Sequence, residues 1–459
     1  MHSPPARTER DSMGPVELPA GVLYGPQTQR AVNNFTISSQ PLPWKFIATV
    51  VLIKQAAATA NLELGLLEAQ TGHLIVESCT ELLGRGPGRD FPVPLYQTGS
   101  GTSTNMNVNE VLATMVAAKG AVAVSANDHV NLGQSSNDVI PSAIHISTTR
   151  EIRQALLPAA TQLVTAIRKK GEEYGEVVKT GRTHLMDALP IRLSAEFEAW
   201  ALQVNEGCER LEDCLTRLSR LPLGGTAIGS GVNCHPGFKD KAIASINAAT
   251  HIRFSPAPSA YKGISSMDSA LEASGQLRTM AMSLMKIAND LRWMNSGPLA
   301  GIGEITLPAL QPGSSIMPAK VNPVIPEAVA MACAQVAGYD LAITLAAQAG
   351  NFQLNTMLPL IGANLLVSVE LLTGCCVSLA EKVFAGMIVN SARCSASLKK
   401  NPILVTALTP EIGYLRAAEL AKIAASEQRD ILDVAKEHTE LPTKRLEQLL
   451  DPKRLAGDD

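Results

Sequence analysis

Aromatic residues are scarce in this 459-residue chain, 4% of the total, although 46% of residues are apolar. Alanine, leucine, valine and isoleucine must therefore fill the interior, as in close-packed helices more than in β-sandwiches. An excess of basic charge is also missing, with a formal net charge of −3 and a pI of about 6.3. No field gathers nucleic acid or an anionic membrane, so an anionic ligand has to be caught by local groups. The eight cysteines contain no CxxC pair and no metal-ligand spacing. That usage predicts reduced thiols and a cytoplasmic protein. The opening MHSPPARTERDSMGP lacks an apolar run, and Glu9 and Asp11 do not suit an organelle transit peptide, so a loose tail is expected. One stretch, LPLIGANLLVSVELLTGCCVSLA at 358–380, is long enough to cross a bilayer. It contains Asn364 and Glu370 and has no aromatic belt or basic flank, which favours a buried helix of a bundle.

The pattern that is present is helical. The first 45 residues read as an extended, loop-rich entry, followed by an alanine-rich helix over 46–68. Apolar positions recur every three or four residues in 142–172, 192–220, 265–296 and 324–350. Between them fall polar segments expected to be loops: 96–110, 127–141, 179–190, 221–237 and 297–323. The chain becomes more charged from about Asn390, which suggests a small C-terminal helical domain. The reading is mainly α, with an N-terminal domain at 1–134, a central domain of long helices at 135–389, and a C-terminal domain at 390–459. The polar segments are too many and too alike to be mere connectors, and are expected to meet between subunits.

Several of these segments carry chemistry. GRTHLMDALP sets Thr183 and His184 beside Arg182, and a histidine there suits proton exchange on an anionic substrate near neutral pH. TGSGTSTNMNVNE supplies Ser100, Gly101 and Thr102, and GQSSND supplies Ser135, Ser136 and Asn137. Uncharged hydroxyls and amides cradle a carboxylate by hydrogen bonds, and the same residues are ordinary helix caps. GGTAIGSG at 224–231 has no lysine after it and no strand before it, so it reads as a tight turn rather than a phosphate loop.

PGSSIMPAKVNP, 312–323, is the most unusual stretch: prolines frame a bend at Gly313 and stop helices on both sides. Ser314 is a weak base unless its anion is stabilised by N–H groups or a cation. Lys320 and Asn322 stand close by in sequence, with Val321 between them and Ser315 adjacent to Ser314. Glu327 opens the next helix, where it could polarise a histidine or a water. Such a set fits elimination across a carbon–carbon bond: a base removes a proton beside a carboxylate, held donors absorb the charge, and an acid protonates the leaving group.

At these residues the chain resembles the fumarase/aspartase superfamily and, within it, the class II fumarate hydratase family. GPVELPAGVLYGPQTQRAV, SGTSTNMNVNE, QSSND, GRTHLMDA, KIANDLRWMNSGPLAGIGEI, GSSIMPAKVNP, GNFQLN and VTALTPEIGY all look like family blocks in family order, covering nearly the whole chain from about Gly14. The resemblance implies a three-domain fold whose long central helices form a tetrameric core, with each active site built by three subunits. It also implies reversible hydration of fumarate to (S)-malate, the tricarboxylic acid cycle reaction, without metal or cofactor and without nucleic-acid or membrane partners. By motif, Ser314 would be the base, and His184, polarised by Glu327, the acid/base partner. Ser100, Gly101, Thr102, Ser135, Ser136, Asn137, Thr183, Ser315, Lys320, Val321 and Asn322 would hold the small dicarboxylate. A peripheral second dicarboxylate site would fall on Ser125, Ala126, Asn127 and Asp128.

Three segments depart from the family pattern. Ala319 replaces a glycine in the signature loop, which would stiffen the lid; Ser194 and Ala195 replace Gly-Gln at the start of a helix; and Ser125 stands in a block that usually opens His-Pro. Two other readings share the sequence: an aspartate ammonia-lyase on the same scaffold, and a non-catalytic helical protein that keeps the fold.

Overall fold

The computed structural model describes residues 7–120 and 123–457. The expected loose tail is corrected from Arg7 onward: β1 (Arg7–Asp11) pairs antiparallel with β2 (Gly14–Leu18). Arg30 closes this hairpin by donating to both carboxylate oxygens of Asp11, at 2.7 and 3.0 Å. Residues 1–6 of that tail lie outside the described residues. The loop-rich entry also contains a helix, α1 (Pro26–Asn34), whose first residue is a proline with its φ already set for a first turn.

Helices then dominate. The alanine-rich segment becomes α2 (Trp44–Glu63), followed by α3 (Ala69–Arg85), α4 (Thr102–Ala118), α5 (Ser136–Glu151) and α6 (Leu157–Glu173). The polar segment 179–190 is no loop but a hairpin of β3 (Val178–Thr183) and β4 (Met186–Arg192). Next come α7 (Leu193–Leu218), α8 (Phe238–Thr250), α9 (Ala260–Ser265), α10 (Asp268–Met294), α11 (Val324–Ala347) and α12 (Leu358–Leu379). Short helices between Ser391 and Leu455 complete the chain.

Two expectations about loops fail together, at 96–110 and at the end of 127–141. Thr102 onward is α4, and its Asn105, Asn107 and Asn109 are buried helical side chains. Tertiary partners take the amide N–H groups of these helical side chains: Asn107 Nδ2 donates to the Asp90 carbonyl at 2.8 Å, and Asn105 and Asn109 each donate to Asn131 Oδ1 at 3.2 Å, while the Oδ1 atoms of Asn105 and Asn109 are buried without a partner among the described residues. Ser136 likewise begins α5 rather than ending a loop.

The chain resolves into two compact units. One comprises Met1–Pro158, Gly207–Ala281 and Ala334–Thr373; the other comprises Ala159–Glu206, Met282–Cys333 and Gly374–Asp459. In the first, α2 packs against α3, α5 and α8, with Phe46, Val50, Ile53 and Ala57 fully buried. In the second, Phe197 stacks on Trp200 with ring centroids 5.1 Å apart, and Phe384 meets both edge-on. At the departure 194–195, Ala195 is exposed and Phe197 fills the buried position beside it, whereas the Ser194 hydroxyl is buried without a hydrogen-bond partner among the described residues. A separate apolar cluster of Leu404, Leu408, Leu420, Val434 and Leu446 holds the C-terminal helices together.

The long apolar run at 358–380 forms α12, and 61% of its most apolar window is buried within the chain, as a core helix requires. The α11 window is similarly apolar, yet only 28% of it is buried.

Candidate active site

In the first unit the candidate residues sit at two helix N-termini. Gly101 caps α4, and the Ser100 and Thr102 hydroxyls are hydrogen-bonded to each other at 2.8 Å. Gln97 Oε1 secures the first turn by accepting from the N–H and hydroxyl of Thr104, at 3.0 and 2.8 Å. At the start of α5, Ser135 and Asp138 form a reciprocal cap. The Ser135 hydroxyl accepts from the Asn137 N–H at 3.2 Å, and Asp138 Oδ1 accepts from the Ser135 N–H at 2.9 Å. The second Asp138 oxygen accepts from the N–H groups of Gly224 and Thr226, both at 2.9 Å, and Asn137 Nδ2 donates to the Ala227 carbonyl. One carboxylate thus fixes the tight turn at 224–231 to the QSSND segment. Helix N-termini of this kind attract anions.

Beneath this arrangement lies a residue the motifs did not flag. Lys54 of α2 is fully buried, and its ammonium donates to Asn131 Oδ1 at 2.8 Å and Gln134 Oε1 at 3.0 Å. Burial pulls its pKa down to about 7, against the opposing influence of Asp138 and Cys79. Burial likewise pushes Asp138 up to about 6, against its three N–H donors and Lys54. The signal available in the sequence was a lone charge in the otherwise uncharged run 46–62.

In the second unit, Thr183 and His184 occupy the tip of the β3–β4 hairpin. Thr183 pairs with Met186, so His184 and Leu185 form the two-residue turn, with φ of 55° and 61°. Such turns favour asparagine and glycine, because left-handed φ costs other residues roughly 1 kcal/mol each. Placing histidine there holds its exposed ring at the tip, and strain of this kind concentrates at functional positions. The strands are anchored through Glu304, 2% exposed, which accepts from Lys179 at 3.0 Å and Arg182 at 2.7 Å. The Glu304 anchor was legible only as part of the GIGEI block. Gly181 lies in the bulge of β3, where a Cβ would meet the Leu189 carbonyl at 2.6 Å.

The proline-framed loop closes on itself. The Gly313 N–H donates to the Lys320 carbonyl at 2.8 Å, and Asn322 Nδ2 donates to the Gly313 carbonyl at 2.7 Å. The need for glycine at 313 comes from this close approach, since a Cβ would collide with the Lys320 carbonyl. Ser314 Oγ accepts from the N–H groups of Ile316 at 3.2 Å and Met317 at 3.0 Å. Lys320 Nζ donates to Asn322 Oδ1 at 2.6 Å. Ala319 takes φ 65°, the left-handed conformation for which glycine is suited. Lys320, Val321, Asn322 and Glu327 line a cavity of about 880 Å³ that also includes Arg292, Trp293 and Arg393. Ser314 faces a smaller one of about 420 Å³, Ser315 is exposed, and His184 lines neither cavity. Among the described residues, no hydrogen bond within one chain joins His184 to Glu327.

At the peripheral segment, the Ser125 hydroxyl donates to Asp128 Oδ2 at 2.7 Å and caps the short turn over Ala126–Val130. Ala126 and Asn127 line a cavity of about 440 Å³ together with Glu9, Asp11 and Glu110 and a single basic residue, Arg10. Among the described residues, no group of three or more His, Cys, Asp or Glu side chains is placed to hold a metal ion.

Comparisons with known proteins identify the family. A family model described as lyase matches residues 14–338, and one described as fumarase C C-terminus matches 404–457. The chain therefore belongs to the lyase family of the fumarase/aspartase superfamily. A Pseudomonas aeruginosa protein named fumarate hydratase class II 2 is 54% identical over 451 residues, 98% of each chain. A Xylella fastidiosa fumarate hydratase class II is 52% identical over 98% of this chain and 95% of its own. The crystal structure of class II fumarase from Schistosoma mansoni superposes with a TM-score of 0.96 at 34% identity, covering 99% of both chains. Within the superfamily, these relatives place the chain among the class II fumarate hydratases.

Proposed function

We infer that the chain is a carbon–oxygen lyase that reversibly hydrates fumarate to (S)-malate. The observation that carries the mechanism is the Ser314 oxygen, which accepts two backbone N–H groups in a loop that also carries Lys320. Donors aimed at that oxygen stabilise its anion and make a hydroxyl usable as a base. In the dehydration direction Ser314 takes the C3 proton of malate. The electron pair flows into the adjacent carboxylate as an aci-carboxylate, and His184 protonates the departing C2 hydroxyl. Thr102, Ser135, Ser136, Asn137, Thr183, Lys320 and Asn322 hold the two carboxylates, with Ser100, Gly101, Ser315 and Val321 alongside. Glu327 polarises His184. The second dicarboxylate site at Ser125, Ala126, Asn127 and Asp128 rests on the family resemblance alone.

The working assembly in this reading is a homotetramer whose sites each draw on three subunits. Its support is α11, apolar yet mostly uncovered, with Met331, Leu341 and Leu345 each more than half exposed. The exposed His184 tip, flanked by exposed Leu185 and Met186, fits the same assembly. The domain division at 1–134, 135–389 and 390–459, a cytoplasmic location and a place in the tricarboxylic acid cycle belong to this reading.

Pure protein incubated with malate, and separately with aspartate, is followed by fumarate absorbance. Fumarate from malate is expected; fumarate from aspartate alone overturns the assignment in favour of an ammonia-lyase. No turnover of any dicarboxylate points to a non-catalytic protein.

A further inference from the structure

We propose that Lys54 is a positioning residue for dicarboxylate binding: it cancels the buried charge of Asp138 under the Ser135–Asn137 turn, so that the turn attracts an anion instead of repelling it. The inference rests on the reading that this turn holds a substrate carboxylate.

The argument is electrostatic. The α5 N-terminus offers roughly half a positive charge to a ligand. Asp138, three residues after Ser135, places a whole negative charge in the same first turn. Its carboxylate is needed there, because it gathers the N–H groups of Ser135, Gly224 and Thr226. It is also fully buried, so water does not screen it. Left alone, that charge would outweigh the helix terminus and oppose a dianion.

Lys54 is the cation that offsets it. Fully buried on α2, its ammonium is hydrogen-bonded to Asn131 and Gln134, the latter directly preceding Ser135, whose N–H donates to Asp138. Asn131 Oδ1 also accepts from Asn105 and Asn109 of α4, the helix whose N-terminus carries Thr102. One buried ammonium therefore ties both carboxylate-binding N-termini to a single polar cluster while neutralising the only full charge inside the α5 cap.

The test is a double-mutant cycle on the malate-to-fumarate reaction. Lys54→Met keeps the volume and removes the charge, and should raise KM by roughly tenfold or more, with kcat changed far less. Asp138→Asn removes the anion but also an acceptor of the Ser135, Gly224 and Thr226 N–H groups, so it is the reference for the second arm of the cycle. In that background Lys54→Met should change KM by no more than about threefold. A folded Lys54→Met enzyme with KM within about twofold of the parent overturns the proposal. So does a tenfold rise of KM, about 1.4 kcal/mol, when Lys54→Met is added to Asp138→Asn. If Lys54→Met alone does not fold, that second arm decides. Absence of malate turnover in the parent overturns the functional reading itself, a separate outcome from unchanged KM in an active Lys54→Met enzyme.

Discussion

Asp138 is fully buried with three backbone N–H groups around its carboxylate, whereas Ser314 lies partly exposed in a loop whose described hydrogen bonds are all its own. The first segment is tied to α2, α4 and the 224–231 turn, so moving it would break several buried interactions at once. Among the described residues, the second is held only by bonds within the loop, among them Gly313–Lys320, the Asn322 side chain and the two N–H groups on Ser314 Oγ. The contrast matches two physical tasks. A carboxylate cradle gains from donors fixed beforehand, since none has to be reoriented when charge develops. A base that must cover its substrate needs a segment drawn from the low-stability end of the structure.

The largest effect expected from this contrast is chemical. Ser314→Ala should lower kcat by about 10²–10⁴-fold, with an unchanged melting temperature, as steady-state assays and thermal melts would show. A fully active variant would remove serine from the base role. The opposite profile belongs to Asp138→Ala, which strands three buried N–H donors and Lys54. Stability should fall by about 3–5 kcal/mol, read as a lower urea midpoint; an unshifted midpoint breaks the comparison.

Acid dependence sharpens it further. Burial raises Asp138 in the folded state to about 6 from the ordinary 3.8. Its neutral form is thus favoured by folding, a contribution present below about pH 4 and lost as pH rises through about 6. Between those limits the parent should lose roughly 3 kcal/mol relative to Asp138→Asn, a slope measurable by melts across the window. Lys54, whose pKa is lowered to about 7, stays protonated throughout that window and adds no slope. The smallest effect is at Ala319, where left-handed φ costs about 1 kcal/mol relative to glycine. Ala319→Gly should raise kcat by up to about fivefold with no change in melting temperature. A drop in kcat would mean that the stiffer alanine serves the lid.

Legibility followed the same division. The long helices were plain from apolar spacing, because 3.6-residue periodicity is a local property that packing then uses. GSSIMPAKVNP was plain as a bent, proline-framed loop for similar reasons. The segment 96–110 misled, because a run of Ser, Thr and Asn reads as loop unless its buried partners are known. Asp90 and Asn131, which accept from the amides of Asn105, Asn107 and Asn109, lie at least 17 residues away in sequence. The β3–β4 hairpin was missed because its turn is His-Leu, without the asparagine and glycine that normally announce one.

By itself the sequence determined a helical, reduced, anion-handling protein and the order of its motifs, since composition, charge and short-range spacing are carried by neighbouring residues. Only the tertiary structure decided that Lys54 is a buried counter-charge, that Asp138 joins two distant turns, and that His184 stands at a strained hairpin tip. Those facts depend on which remote backbone and side-chain groups surround each residue. Burial and partner geometry set a charge's energy, and no local pattern along the chain encodes either.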